Sequence, residues 1–207
     1  MQIHLVLELI GTVAFAISGA IVGIQKKMDL FGVAILGLTT AVGGGILRDL
    51  ILNITPPAAF KNPIFAITAI AVSIITFLKP TTSSVEKTGS VYEKMLLIMD
   101  SVGLGLFTVI GIQVAKTTSE ATNLFMETFV GVLTGVGGGV LRDMFAGYAP
   151  SIFVKHFYAC ASIVGAWLCV LLWPYLGGNV SMFIGAVSIV LLRLLAAHYR
   201  WSLPKAR

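Results

Sequence analysis

Ala-Val-Gly-Gly-Gly-Ile-Leu-Arg-Asp-Leu, residues 41–50, returns almost unchanged as Gly-Val-Gly-Gly-Gly-Val-Leu-Arg-Asp-Met at residues 135–144. Each copy lies near the far end of a long apolar run. Gly is about 1 kcal/mol per residue worse than Ala in a helix interior. Three in succession therefore predict a helix break at Gly43, Gly44 and Gly45, and another at Gly137, Gly138 and Gly139. The Arg-Asp that follows, Arg48-Asp49 in one copy and Arg142-Asp143 in the other, carries ionisable groups to the edge of a hydrophobic segment, where they are costly and usually functional.

The composition says what kind of solvent the runs need. Of 207 residues 57% are apolar and 11% charged, against roughly 25% charged in an average soluble domain. With a mean hydropathy of +0.96, a water-soluble core cannot hide so much apolar surface, and the bilayer must be the solvent. The net charge of +5 comes from residues spread among loops and one tail. No basic helix face is present, so the bias belongs to membrane topology and not to nucleic acid. Cys160 and Cys169 fall on nearly opposite sides of a helix at 100° per residue and are not expected to bridge. The first run has no Lys or Arg before it and carries Glu8, which reads as a retained helix and not a cleaved leader.

Seven runs approach the ~20 residues that a span requires: residues 3–24, 30–52, 62–78, 95–114, 124–145, 151–173 and 180–198. Asp29 is a plausible N-cap for the second. Residues 81–94, rich in Ser, Thr, Lys and Glu, read as a polar linker, and residues 199–207 as a short basic tail. A shift of 94 positions carries Gly43–Gly45 onto Gly137–Gly139, Arg48-Asp49 onto Arg142-Asp143, Pro56 onto Pro150, Lys61 onto Lys155 and Pro80 onto Pro174. A shift of 92 aligns the preceding helix, matching Glu8 with Asp100, Gly11 with Gly103, Phe15 with Phe107 and Gly19 with Gly111. This is an internal duplication, with repeat one at residues 3–80 and repeat two at 95–174. Each repeat holds three spans, an odd number, so the copies enter the membrane from opposite sides and form an inverted repeat. Ten basic residues on one side against three on the other place the N-terminus outside and the C-terminus in the cytoplasm.

A break inside the membrane survives only where it is buried or lines water. Two breaks in inverted repeats would face each other and line one path; the plainer reading is that the glycines let helices approach closely. Thr40 and Thr134, each three residues before its glycines, fit a path for a partly dehydrated ion, and fit equally a hydroxyl bonded back to its own helix. Adjacent helical residues do not face each other, so Arg48 is not expected to pair with Asp49, nor Arg142 with Asp143. The expected pairs, or near neighbours, are Glu8 with Arg48 and Asp100 with Arg142, one set at each mouth. Arg193, near the end of the last run, reads as snorkelling to headgroups. No nucleophile–base set or metal-ligand cluster stands out, so neither an enzyme, a cofactor nor a fixed metal site is expected.

With both Gly-Gly-Gly-x-Leu-Arg-Asp copies placed on the second and fifth of seven spans, the chain resembles the prokaryotic branch of the trimeric intracellular cation (TRIC) channels over nearly its whole length. The resemblance implies a homotrimer in lipid, each protomer holding its own pore for monovalent cations, potassium as the usual ion. The family's kinked glycine segments match Gly43–Gly45 and Gly137–Gly139. The Lys-Glu-Val lipid-binding motif of animal members is absent, so phosphoinositide regulation is not implied. Bacterial sequences of this type have also been described as glycine transporters, and carriage of a small zwitterion is the alternative. The expectation is thus an all-α integral membrane protein of two inverted three-helix repeats plus a seventh helix, working as a passive cation channel in the plasma membrane.

Overall fold

The structure, a computed structural model, describes residues 2–78, 85–118, 123–154 and 157–201, and among these it is all-helical. The helices are α1 (Gln2–Gln25), α2 (Leu30–Ile51), α3 (Ala58–Lys61), α4 (Ile64–Leu78), α5 (Val85–Thr118), α6 (Leu124–Phe145), α7 (Ser151–Val154), α8 (Tyr158–Leu176) and α9 (Gly178–His198). Six of them, α1, α2, α5, α6, α8 and α9, are long and apolar enough to cross a membrane, and α4 is a shorter apolar helix of 15 residues. Lys79, Pro80, Lys155, His156 and tail residues 202–207 lie outside the described residues.

Capping follows the duplication. Asp29 accepts the amide of Gly32 at 2.7 Å and opens α2, and Asn123, 94 positions on, accepts the amide of Met126 at 2.8 Å and opens α6. Each satisfies one of the amides that a helix start leaves without a partner. Several element boundaries differ from the sequence expectation. Residues 85–94 of the expected linker are the first turns of α5, since its two Glu and two Lys are good helix formers that need no apolar environment. The expected sixth run is divided into α7 and α8, and α8 continues through Pro174 to Leu176 before Gly177 turns the chain at φ 76°.

The larger correction concerns the glycines. Neither triplet breaks its helix: α2 and α6 run without interruption through Gly43–Gly45 and Gly137–Gly139. A β-carbon built on Gly44 would lie 2.2 Å from the carbonyl oxygen of Thr134, and one on Gly138 would lie 2.1 Å from that of Thr40. The glycines let two backbones touch, as small residues do between membrane helices. Their helical hydrogen bonds stay intact because hydrocarbon offers the backbone no other partner. The order of contacts, 40 with 138 and 44 with 134, means that α2 and α6 cross antiparallel. The same reciprocity joins α1 to α5, where Gly11 faces the ring of Phe107 and Gly103 faces that of Phe15. Helix α4 packs on α1 and α2, α8 on α5 and α6, and α9 on α5 and α8.

Candidate functional site

The three glycines of each triplet point three ways. Gly43 and Gly137 face Leu141 and Leu47 across the crossing, Gly44 and Gly138 meet the opposite backbone, and Gly45 and Gly139 lie beside the guanidinium groups of Arg48 and Arg142. Thr40 and Thr134 donate to Leu36 and Val130 carbonyls at 2.6 Å, and their hydroxyls press on Gly19 and Gly111. Both are fully buried packing residues of the crossing.

Each arginine grips its own neighbour, against expectation. Arg48 Nε and Nη2 both lie 2.7 Å from Asp49 Oδ1, and Arg142 Nε and Nη2 lie 2.9 and 2.8 Å from Asp143 Oδ1. The spacing rule fails here because each carboxylate is held from its other side: Asp49 Oδ2 accepts the amide of Ala58, and Asp143 Oδ2 that of Ser151, both at 2.7 Å. The aspartates thus tie the helix end to the returning loop. With little water to solvate its head, the flexible arginine arm curls back to the nearest anion.

Beyond this shared frame the two ends differ. At one end Arg142 Nη1 also reaches Asp100 Oδ1 at 2.6 Å, the expected partner, and donates to Ser18 Oγ. Asp100 Oδ2 lies 3.5 Å from Arg193 Nη2, and the Arg193 guanidinium sits 4.4 Å over the Tyr158 ring. Arg193 is only 4% exposed; it does not snorkel. The signal for this was present in α9, where small residues gather on the face of Arg193: Ser181 and Gly185 lie on its fourth-residue spacing with Ala186 and Ala196 beside them, and all are buried. Such a stripe marks a packing face, so its arginine points inward. Cavities of about 510 and 420 Å³ open on this cluster, the first lined by Glu93, Asp100, Arg142, Arg193 and Arg200 among apolar residues, the second by Gln25, Glu93, Arg142, Asp143 and Tyr148.

At the other end Glu8 makes no ion pair with Arg48; the two share a cavity of about 40 Å³ with Thr12, Asp49, Ala58, Phe65 and Phe107. Between the ends lie Phe15 and Phe107, equivalent in the duplication, stacked at 5.3 Å between ring centroids. Phe107 lines the Glu8 cavity, Phe15 lies against Gly138, and Gly139 is next to Asp100 and Arg142. The aromatic pair therefore separates one charged cluster from the other. Sequence reading also missed an ion pair of Lys116 with the buried Glu127 at 2.6 Å, which joins α5 to α6.

These features define a multi-spanning membrane protein whose polar groups are gathered inside the bundle at two sites related by duplication. A family model described as Glycine transporter matches residues 5–80 and 97–174. A membrane protein of the UPF0126 group from Deinococcus radiodurans is 34% identical, covering 97% of this chain and 91% of the relative; the inner membrane protein YadS of Escherichia coli K12 is 35% identical over 96% and 93%. Among solved structures, a prokaryotic TRIC channel in 0.5 M KCl superposes with a TM-score of 0.89 at 31% identity, covering 98% and 99% of the two chains. The protein from a study of conductance through TRIC cation channels gives 0.83 at 36%, covering 98% and 96%. The chain belongs to the prokaryotic TRIC family, which includes the bacterial UPF0126 membrane proteins.

Proposed function

We propose that this protein is a passive channel for monovalent cations, potassium foremost, with one path in each protomer of a homotrimer. The path runs between α1, α2, α5 and α6. One observation carries the reading: two buried charged clusters, each opening on a cavity, lie at opposite ends of one helix crossing with an aromatic stack between them. On this reading the described conformation is closed. The Phe15–Phe107 stack is the hydrophobic constriction, and Asp100, Arg142, Asp143 and Arg193 latch the helices at one mouth. Glu8, Arg48 and Asp49 line the other mouth. The glycine triplets act as the pivot at which α2 and α6 slide, and Thr40 and Thr134 fix the crossing distance.

The inverted three-helix repeat, with α4 as the third span of the first repeat and α9 as the added helix, is supported by the antiparallel reciprocity of contacts and by the two segments of the family match. Basic residues place the latch end and the C-terminus on the cytoplasmic side, in an inner membrane like that of the Escherichia coli relative. Surrounding lipid and the trimer complete the set of partners.

The test is a planar bilayer with purified protein. Unitary steps whose reversal potential follows the potassium gradient are expected. Saturable glycine uptake by proteoliposomes without unitary currents would overturn the channel and establish the carrier that the family description names.

A further inference from the structure

Glu8 stands out for what it lacks. Its counterpart in the duplication, Asp100, is held by Arg142 and Arg193, whereas among the described residues Glu8 makes neither a hydrogen bond nor an ion pair. The nearby cation is already used: Arg48 Nε and Nη2 converge on Asp49 Oδ1, and Asp49 Oδ2 is taken by the Ala58 amide. With both carboxylates ionised, the group Glu8, Arg48 and Asp49 sums to one negative charge, and Glu8 is the acid of the three without a direct ion pair. Thr12, one turn further along α1, is the second unengaged group. It is 1% exposed, lines the same cavity and makes no hydrogen bond among the described residues. By contrast Thr40, Thr108 and Thr134 each donate to the carbonyl four residues back. At the equivalent of Thr12 in the second repeat the chain has Leu104, so carboxylate and hydroxyl come together at this end only.

We propose that Glu8 and Thr12 form a binding subsite for one partly dehydrated monovalent cation at the Arg48 end of the bundle, its remaining water on the open side of the cavity. The cavity of about 40 Å³ has room for little more than one water-sized body, whose share of liquid volume is about 30 Å³. One carboxylate and one hydroxyl supply a single negative charge, which balances a monovalent ion and leaves a divalent one uncompensated. Phe65 and Phe107 line the rest of the cavity and leave Glu8 and Thr12 as its unengaged polar groups. Ala58 and Ala59 of α3 border it, so the ion sits beneath the loop that Asp49 anchors. For the ion's onward passage past Phe107 the proposal rests on the channel reading; its binding does not.

The experiment uses rubidium as probe. Crystals of the wild-type trimer grown in rubidium chloride should show an anomalous peak within about 3 Å of the Glu8 carboxylate, a charge-assisted contact distance. The peak should vanish in E8Q and weaken in T12V, both screened for wild-type elution as trimers. In bilayers E8Q should lower unitary potassium current at least about threefold at low salt and far less at molar salt, where a local negative charge no longer concentrates the ion. A wild-type channel that conducts potassium but shows no rubidium peak at Glu8, or an E8Q crystal that keeps the peak, overturns the subsite and leaves the channel standing. Rubidium bound at Glu8 in a protein that passes no current upholds the subsite and overturns the channel. If E8Q fails to form trimers, T12V decides: unchanged rubidium occupancy there refutes the pair of ligands.

Discussion

Replacing Gly44 by Ala tests whether the glycines are a packing device or a weak point in the helix, because the two ideas give opposite signs. In a helix that merely tolerates glycine, Ala should stabilise by about 1 kcal/mol. At the crossing, the new β-carbon would sit 2.2 Å from the Thr134 carbonyl oxygen and 3.3 Å from the Gly138 amide nitrogen, where ordinary contacts begin at 3.4 Å. Both obstacles are backbone and cannot rotate aside, so the helices must part by roughly 1 Å, an overpacking that costs about 1–3 kcal/mol. Gly45→Ala is the internal control. It gains the same helix propensity, and its β-carbon meets only the flexible tip of Arg48 at 3.8 Å. The difference between the variants therefore isolates the clash, and propensity cancels. At about 2–4 °C per kcal/mol for a chain of this size, G44A should melt roughly 2–12 °C below G45A in detergent, followed by loss of the trimer peak on size exclusion. The double variant G44A/G138A should be less harmful than the sum, since helices already parted for one methyl accept the other. A G44A protein that melts at or above G45A would refute the close crossing.

Three further outcomes follow from the charged ends and the stack. Asp100→Asn leaves Arg193 buried without its anion and should destabilise by about 3–5 kcal/mol, whereas D100N/R193M, in which Arg142 still balances Asp143, should recover part of the melting temperature; no recovery would remove Arg193 from the cluster. Ser18→Ala takes away one acceptor from the buried Arg142 guanidinium and should cost about 1.5–3 kcal/mol, read from the same melts. Phe15→Ala or Phe107→Ala opens the constriction between the cavities and should raise the basal frequency of unitary openings at least about tenfold in bilayers; an unchanged open probability would show that the barrier lies elsewhere.

Much of the frame was legible because the duplication announces itself. The 92- and 94-residue offsets pair Phe15 with Phe107 and Gly44 with Gly138 in the sequence itself, and the structure brings both pairs into contact. Asp29 was readable as a cap because its chemistry is local. What misled was the use of rules measured in water. Glycine's poor propensity comes from solvated peptides; in a membrane bundle a glycine helix keeps its hydrogen bonds and gains a backbone contact. The adjacency rule for Arg48 and Asp49 describes a bare helix surface and ignores the Ala58 amide that turns the carboxylate. Position along α9 puts Arg193 near a membrane edge, but the buried face it shares with Ser181, Gly185 and Ala186 turns it into the bundle.

The departures from the duplication carry as much as its repetitions. Two identical halves meeting antiparallel would give a path with identical ends, tied or open together. Here Asp100 stands where Glu8 stands in the first repeat, and the shorter acid meets Arg142 directly at 2.6 Å while the longer one meets no base. Ser18 has Ile110 as its counterpart and Thr12 has Leu104, so one end receives an extra acceptor for its arginine and the other an unengaged hydroxyl. Helix α9 has no partner in the first repeat and delivers Arg193 to the Asp100 end, cancelling the charge that would otherwise remain there. One end of the bundle is thereby a closed ionic knot without net charge among Asp100, Arg142, Asp143 and Arg193, and the other keeps a carboxylate without a direct ion pair facing a small cavity. For a cation path this division assigns attraction to the Glu8 end and restraint to the Arg142 end, and it explains why a helix outside the repeat is packed against a protein whose symmetry has no place for it.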